Sequence, residues 1–366
     1  STVSHPTLER VVLPSSWKIK DWLNLYPVDR LLPPDTGDID AETWAERVNA
    51  LCLQDVDDAS RPALLEILMR VSRHLLETVQ PDLYLAWNTL CPHVGVLSDL
   101  CRRADIPVMM IERGHIPNTW MLDTGLLGHS RLAEVPLNRL VTSARQRRSC
   151  LKTGTAVLAE QNLATFQRYP QNQDEASFAD LESLTGRPRV LFLPPDDSAL
   201  GFLPAQGPDR AASLPGYTSS LDAARAVAAR VSAVGGITVF KPHPSFERLS
   251  LDTRGQPDLY ILNLDFQRLI RWADVVVTSG SGLLHVAMSH NKPVVLTARD
   301  IFSGKGIAYE ALQEADIAGA LSAALKREGF TARQQAFKVY TGWLSQNYLM
   351  HAEQTLPSAG VWTAAD

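Results

Sequence analysis

Short, continuous apolar runs recur along the second half of the chain, each closed by a small or polar residue. They fall at 190–193 (Val-Leu-Phe-Leu), 237–241, 259–262, 274–278 and 293–297. Runs of this length with no polar alternation predict strands buried on both faces, as in a parallel sheet. Between them lie segments with apolar residues at helical spacing, at 221–234, 266–273 and 282–289. The first half repeats the theme once: a strand at 82–88, a helix at 92–103 and a strand at 107–112. Ahead of it, Leu64, Leu65, Ile67, Leu68, Val71, Leu75 and Leu76 fall on one helical face, predicting a helix over Arg61–Val79 that covers this sheet. A last helix is expected over 332–350. Strand and helix alternate in both halves, so the fold class is α/β.

Around 169–188 the composition turns polar (Pro-Gln-Asn-Gln-Asp-Glu, then Thr-Gly-Arg-Pro), which suits a linker. The expected organisation is an N-terminal α/β domain over 1–170, a linker over 171–188 and a second α/β domain over 189–335. A helix and tail over 336–366 then return to the first domain. The 366 residues suit two domains of roughly 150–180 residues each. A net charge of -5 gives no reason to expect nucleic acid as a partner. Cys52, Cys91, Cys101 and Cys150 form no C-x-x-C pair and no zinc spacing, and read as buried thiols of a reducing compartment. No signal peptide is visible at the N-terminus of the sequence, and no stretch reaches the roughly 18 apolar residues of a spanning helix. A cytoplasmic protein is expected, with peripheral contact at the inner face of the membrane allowed.

Ligands of open α/β sheets bind beyond the carboxyl ends of the strands, so residues just after strands carry the chemistry. Five such places stand out. Lys241, Pro242, His243 and Pro244 make a stiff turn whose lysine and histidine can donate to a phosphate oxygen; the plainer alternative is a rigid strand-ending turn. Thr278, Ser279, Gly280, Ser281 and Gly282 let backbone N–H groups approach an anion, or simply cap the next helix. Glu112, at the end of a strand in the first domain and followed by Arg113 and Gly114, suits a general base for an acceptor hydroxyl, or a surface ion pair. Pro117 to Thr119 and Asp123 to Gly125 then form a loop that shapes the acceptor site. Asp196 and Asp197, adjacent acids leaving the first strand of the second domain, suit a nucleophile or a group stabilising positive charge at an anomeric carbon, or a cap. No third ligand nearby completes a metal site with them. Lys305, flanked by Gly304 and Gly306, suits a lid over a negatively charged donor, or an ordinary loop.

Glu112-Arg-Gly-His-Ile-Pro-Asn-Thr with Asp123, then Lys-Pro-His-Pro, then Thr-Ser-Gly-Ser-Gly with a downstream Lys-Pro-Val, resemble the bacterial capsule-synthesis proteins. That family includes β-Kdo transferases acting on capsule or O-antigen glycans. The resemblance covers about 82–307. Arg113 stands where the related sialyltransferase motif has a second acid, leaving Glu112 the only carboxylate there.

The resemblance implies GT-B architecture, two Rossmann-like domains facing across a cleft, with CMP-Kdo as donor. It implies that Lys241 and His243, with Ser279 and Ser281, hold the CMP phosphate, that Glu112 is the base, and that Asp196 or Asp197 lies near the anomeric carbon. A β-linked product made from CMP-β-Kdo retains configuration, which calls for a carboxylate nucleophile. Adjacent extended residues face opposite ways, so one of the two acids faces the sugar, and Asp196 is favoured. No cofactor and no metal is required, because one phosphate can be neutralised by lysine, histidine and backbone N–H groups. The implied partners are the nucleotide-sugar donor and a glycan or lipid-linked glycan acceptor of the bacterial surface. Alternatives are a CMP-sialic acid transferase, an enzyme of the UDP-GlcNAc 2-epimerase type, or a non-catalytic glycan- or nucleotide-binding module.

Overall fold

The computed structural model of the chain describes residues 44–45, 61–87, 92–161, 174–184, 186–197, 208–243, 259–280 and 282–351. It divides into two compact units, residues 1–84 with 91–107, and residues 85–90 with 108–366. In the first unit the expected helix Arg61–Val79 packs on the helix Pro92–Arg103 through Leu64, Leu68 and Val71 and through Val96 and Cys101, all at most 1% exposed. The indole of Trp44 donates to Asp99 at 2.8 Å and ties an earlier segment to that pair.

The strands are, in chain order, β1 (Tyr84–Trp87), β2 (Val108–Arg113), β3 (Thr119–Asp123), β4 (Arg189–Leu193) and β5 (Ile237–Phe240). Then come β6 (Leu259–Ile261), β7 (Val275–Thr278), β8 (Val294–Leu296), β9 (Tyr309–Glu310) and β10 (Leu349–His351). The five apolar runs of the second half, joined by the unexpected β9, form a six-stranded sheet in the order β6-β5-β4-β7-β8-β9, every pair parallel. Counted within this sheet, the order is third, second, first, fourth, fifth, sixth, which is the Rossmann arrangement. The chain reverses its direction of travel across the sheet between β4 and β7, and that is where such folds hold their ligands.

Local chemistry sets the ends of these elements. Ser219 caps the helix Ser220–Ser232 by accepting from the amide of Asp222, and Asp265 caps Phe266–Trp272 by accepting from that of Arg268. Arg189 and Asp274 pair at 2.7 Å where β4 and β7 begin. A helix, Glu175–Ser183, capped by Asp174, lies inside the polar stretch read as a linker, and its Phe178 and Leu181 are buried.

The smaller sheet runs β1-β2-β3-β10. Two of its pairings are antiparallel, β2 on β3 and β3 on β10, which the strand–helix–strand spacing of this region did not announce. Residues 119–123, expected in a loop, are a strand because Trp120 and Leu122 alternate with the buried Thr119, Met121 and Asp123. The expected last helix is Phe330–Asn347, and the chain then turns back as β10. This helix packs against Ala144–Glu160 at glycine contacts. A Cβ on Gly154 would stand 1.9 Å from the Lys338 carbonyl oxygen, and one on Gly342 would stand 1.9 Å from that of Cys150. Cys101 and Cys150 are buried free thiols, and Cys52 and Cys91 lie outside the described residues.

Candidate functional site

The registers of the parallel sheet bring three sequence-predicted turns to one edge. Leu193 of β4 lies opposite Thr278 of β7, and Phe192 lies opposite Phe240 of β5. Residues 194–197, 241–243 and 279–280 therefore leave neighbouring strands side by side.

The two acids after β4 part company. Asp197 is 2% exposed and turned inward, where its carboxylate accepts from the backbone N–H of Ser220 at 2.8 Å and from its hydroxyl. Burial pushes its pKa up to about 6, against the pull of those two hydrogen bonds. It anchors the start of the helix Ser220–Ser232 and does not line the crevice. Asp196 is partly exposed, and its Oδ2 stands 4.0 Å from Nδ1 of His243 on the neighbouring turn. The structure thus groups Asp196 with His243 and leaves Asp197 to the scaffold.

Lys241 shares the turn with His243 but not its surroundings. Its amide donates to the Phe192 carbonyl at 3.1 Å, and its buried ammonium reaches Asn263 Oδ1 at 3.4 Å. Burial lowers its pKa, opposed by the nearby Asp265. Pro244 lies outside the described residues.

On the next turn, the Ser279 hydroxyl is buried against that of Thr297 at 2.7 Å, tying the end of β7 to the end of β8. The Ser279 side chain is therefore spent on the scaffold. Gly280 has φ of 81°, the left-handed region that glycine reaches without strain, and a Cβ there would meet Leu127 at 2.9 Å. What this turn can offer an anion is backbone N–H. Ser281 lies outside the described residues.

The lid role for Lys305 is corrected. The lysine is 3% exposed, and its ammonium donates to the Leu132 carbonyl at 2.6 Å and to that of Ser303 at 2.7 Å. Burial lowers its pKa to about 8, opposed by Asp300, Glu310 and Glu134. The glycines around it serve a tight turn, since Gly304 at φ 72° packs on Glu134 and its N–H donates to Glu310.

Glu112 sits in β2 opposite Met121, half-buried, and accepts from the amide of Arg113 at 2.7 Å. The hairpin beyond it is tightly built. The Gly114 amide donates to the Thr119 carbonyl at 2.8 Å, the Thr119 hydroxyl donates to the Ile116 carbonyl at 2.6 Å, and a Cβ on Gly114 would lie 2.0 Å from that hydroxyl. This hairpin carries His115, whose Nδ1 would lie 3.3 Å from a Cβ on Gly282, so it meets the turn after β7. Its ring packs edge-on against Phe302, with centroids 5.1 Å apart. His115 lies within the Glu112-Arg-Gly-His motif quoted above but was given no role there.

Asp123, read with the acceptor loop, is 1% exposed and organises that loop from within. It accepts from the Ser130 hydroxyl, the amides of Thr124 and Arg131, and the Tyr348 hydroxyl. Burial alone would raise its pKa, but these hydrogen bonds outweigh burial and lower it. A second buried acid escaped the sequence reading. Asp300, after β8, has its pKa raised to about 7 by burial, and one carboxylate oxygen accepts from the Phe302 amide at 2.7 Å.

Among the described residues, no group of three or more His, Cys, Asp or Glu is placed to hold a metal ion, and no helix is long and apolar enough to cross a membrane. No protein-family model matches the chain, and no curated protein matches it. Solved structures do resemble it at low identity. The Thermosulfurimonas dismutans KpsC beta Kdo 2,7 transferase is 17% identical, with 68% of this chain and 79% of that one covered and a TM-score of 0.40. The Methanocaldococcus jannaschii UDP-GlcNAc 2-epimerase, in complex with UDP-GlcNAc and UDP, is 10% identical over 78% of this chain and 81% of its own, with a TM-score of 0.33. The Streptomyces nogalater glycosyltransferase SnogD is 13% identical over 83% of this chain and 80% of its own, with a TM-score of 0.34.

Proposed function

We propose that the chain is a GT-B glycosyltransferase that takes a sugar from a nucleotide donor in the crevice between β4 and β7. The observation that carries this reading is the grouping of Asp196, His243 and the Gly280 turn where the strand order reverses. In such sheets the reversal point is where a nucleotide's phosphate lies. The donor is CMP-Kdo and the acceptor a glycan or lipid-linked glycan of the bacterial surface, as the motif resemblance implies. Residues 189–335 then form the donor domain and residues 1–170 the acceptor-side domain, with the helix and tail returning to the latter.

His243 and the backbone N–H groups around Gly280 neutralise the phosphate, so no metal is called for. Lys241, buried beside Asn263 just past the end of β5, lends charge. Asp196 attacks the anomeric carbon as nucleophile, which its partial exposure permits and the burial of Asp197 does not. Glu112 takes the proton of the acceptor hydroxyl in the second displacement. The test is mass spectrometry of products from CMP-Kdo with a panel of short synthetic acceptors, run beside CMP-sialic acid and UDP-GlcNAc. A Kdo-extended, β-linked product supports the reading. Turnover of UDP-GlcNAc without acceptor, or of CMP-sialic acid alone, replaces it.

A further inference from the structure

We infer that His115 is the proton donor to the phosphate oxygen that leaves the sugar. The inference rests on the nucleotide-sugar reading above and adds a residue to it. Its ground is positional. His115 belongs to the β2–β3 hairpin, the segment that carries Glu112, yet its imidazole stands against the turn after β7, the segment assigned to the phosphate. Gly282 makes the approach possible, because a Cβ there would already press on Nδ1 at 3.3 Å and lie 3.9 Å from Cε1.

The ring is held rather than loose. Phe302, itself fully buried, packs edge-on against it and in turn edge-on against Tyr340, with centroids 5.8 Å apart. The hairpin beneath it is pinned by Gly114, Thr119 and Asn118, the last at φ 59°. Fixed position at a reacting bond is what a general acid needs first, and matched proton affinity second. A sugar nucleotide's phosphate gains a charge as it leaves, and the new phosphomonoester ionises near pH ~6. Imidazole is the side-chain type whose proton affinity lies closest to that of such a phosphate.

Among the described residues, the titratable groups on the elements around His115 include Glu112, Arg113 and Asp123 on its own hairpin, His285 in the helix Leu283–Ser289, and Asp300 and Lys305 on the turn that carries Phe302. His285 does not compete for the proton, because burial, with His115 nearby, pushes its pKa down to about 3.

The step balances. A carboxylate oxygen of Asp196 bonds to the anomeric carbon, the bond from that carbon to the phosphate oxygen breaks, and its electron pair stays on the oxygen. The His115 proton moves onto that oxygen, leaving neutral imidazole. In the second displacement the acceptor oxygen takes the sugar, its proton passes to Glu112, and Asp196 is freed as carboxylate. Solvent then reprotonates His115 and takes the proton from Glu112.

The experiment follows kcat against pH, and CMP affinity by calorimetry, in the wild-type chain, His115→Gln and Gly282→Ala. His115→Gln is expected to lower kcat by about 10²–10³-fold, keep CMP affinity within about threefold, and lose the wild-type fall in rate on the alkaline side. Gly282→Ala, which displaces the ring without removing it, is expected to lower kcat by about tenfold with the alkaline limb kept; it carries the test if His115→Gln does not fold. Normal kcat in either folded variant, or an alkaline limb that survives in His115→Gln, overturns the assignment while leaving the donor reading intact. A wild-type chain that neither binds CMP nor turns over any CMP-sugar overturns both.

Discussion

In β5, β7 and β8 every residue is buried, whereas along β3 and the first four residues of β2 buried residues alternate with half-exposed ones. The parallel sheet is covered on both faces, so nearly all its strand positions are apolar and the polar chemistry moves to the strand ends. Asp196, His243, Ser279 and Gly280 all lie one to three residues past a strand. The smaller sheet keeps an open face, where Trp87 and Trp120 meet at 5.1 Å and Arg113 lies over the Trp87 ring. Glu112, paired with the buried Met121, belongs to the other face and lies near the end of its strand. A site in the first sheet is found by looking past the apolar runs, and a site in the second only by following the alternation.

The largest effects should fall on the acids that leave the buried sheet. Asp196→Asn should lower transfer by about 10³-fold or more, measured as CMP release, because it removes the nucleophile. Asp197→Asn should lower it far less and act on stability instead, because its partner is the scaffold residue Ser220. Equal losses in the two variants would erase the distinction drawn here.

Packing predictions sharpen the same contrast. Leu191→Ala, fully buried in β4, should cost about 2–5 kcal/mol in denaturant melts, and Leu122→Ala, half-exposed in β3, less than about 1 kcal/mol. Gly342→Ala should cost about 3 kcal/mol, since the new methyl meets the Cys150 carbonyl and the two helices must separate.

The buried acid also sets a pH dependence. Asp197 has a native pKa near 6, above the unfolded value, so between about pH 4 and 6 the native state holds a proton that the unfolded state has lost. Stability from this group therefore falls as pH rises through that window, by about 1.4 kcal/mol per unit of upward shift. Asp197→Asn should flatten the slope of urea midpoint against pH there. An unchanged slope would mean that the carboxylate is already ionised in the native state.

Much of the parallel sheet was legible in the sequence, because five of its six strands are short apolar runs; β9, only Tyr309 and Glu310, carries no such signal. The antiparallel pairings were less so. β3 is a five-residue alternation between a turn and a loop, and β10 pairs with it from more than two hundred residues away, a contact no local pattern encodes. For the site, the turns were legible and the side-chain directions were not. Ser279 and Lys305 have residue types suited to phosphate, yet their polar atoms are used by Thr297 and by the carbonyls of Leu132 and Ser303. His115 was missed for the opposite reason: its importance comes from Gly282, far along the chain.

The most direct test of the donor crevice is calorimetric titration of CMP into the wild-type chain and into His243→Ala. His243 is part-exposed beside Asp196, so its removal should leave the fold intact. The account predicts saturable CMP binding to the wild-type chain and an affinity at least about thirtyfold lower in the variant, a loss of about 2 kcal/mol or more, the scale of a hydrogen bond to a charged group. Equal CMP affinity in the two folded proteins would contradict it.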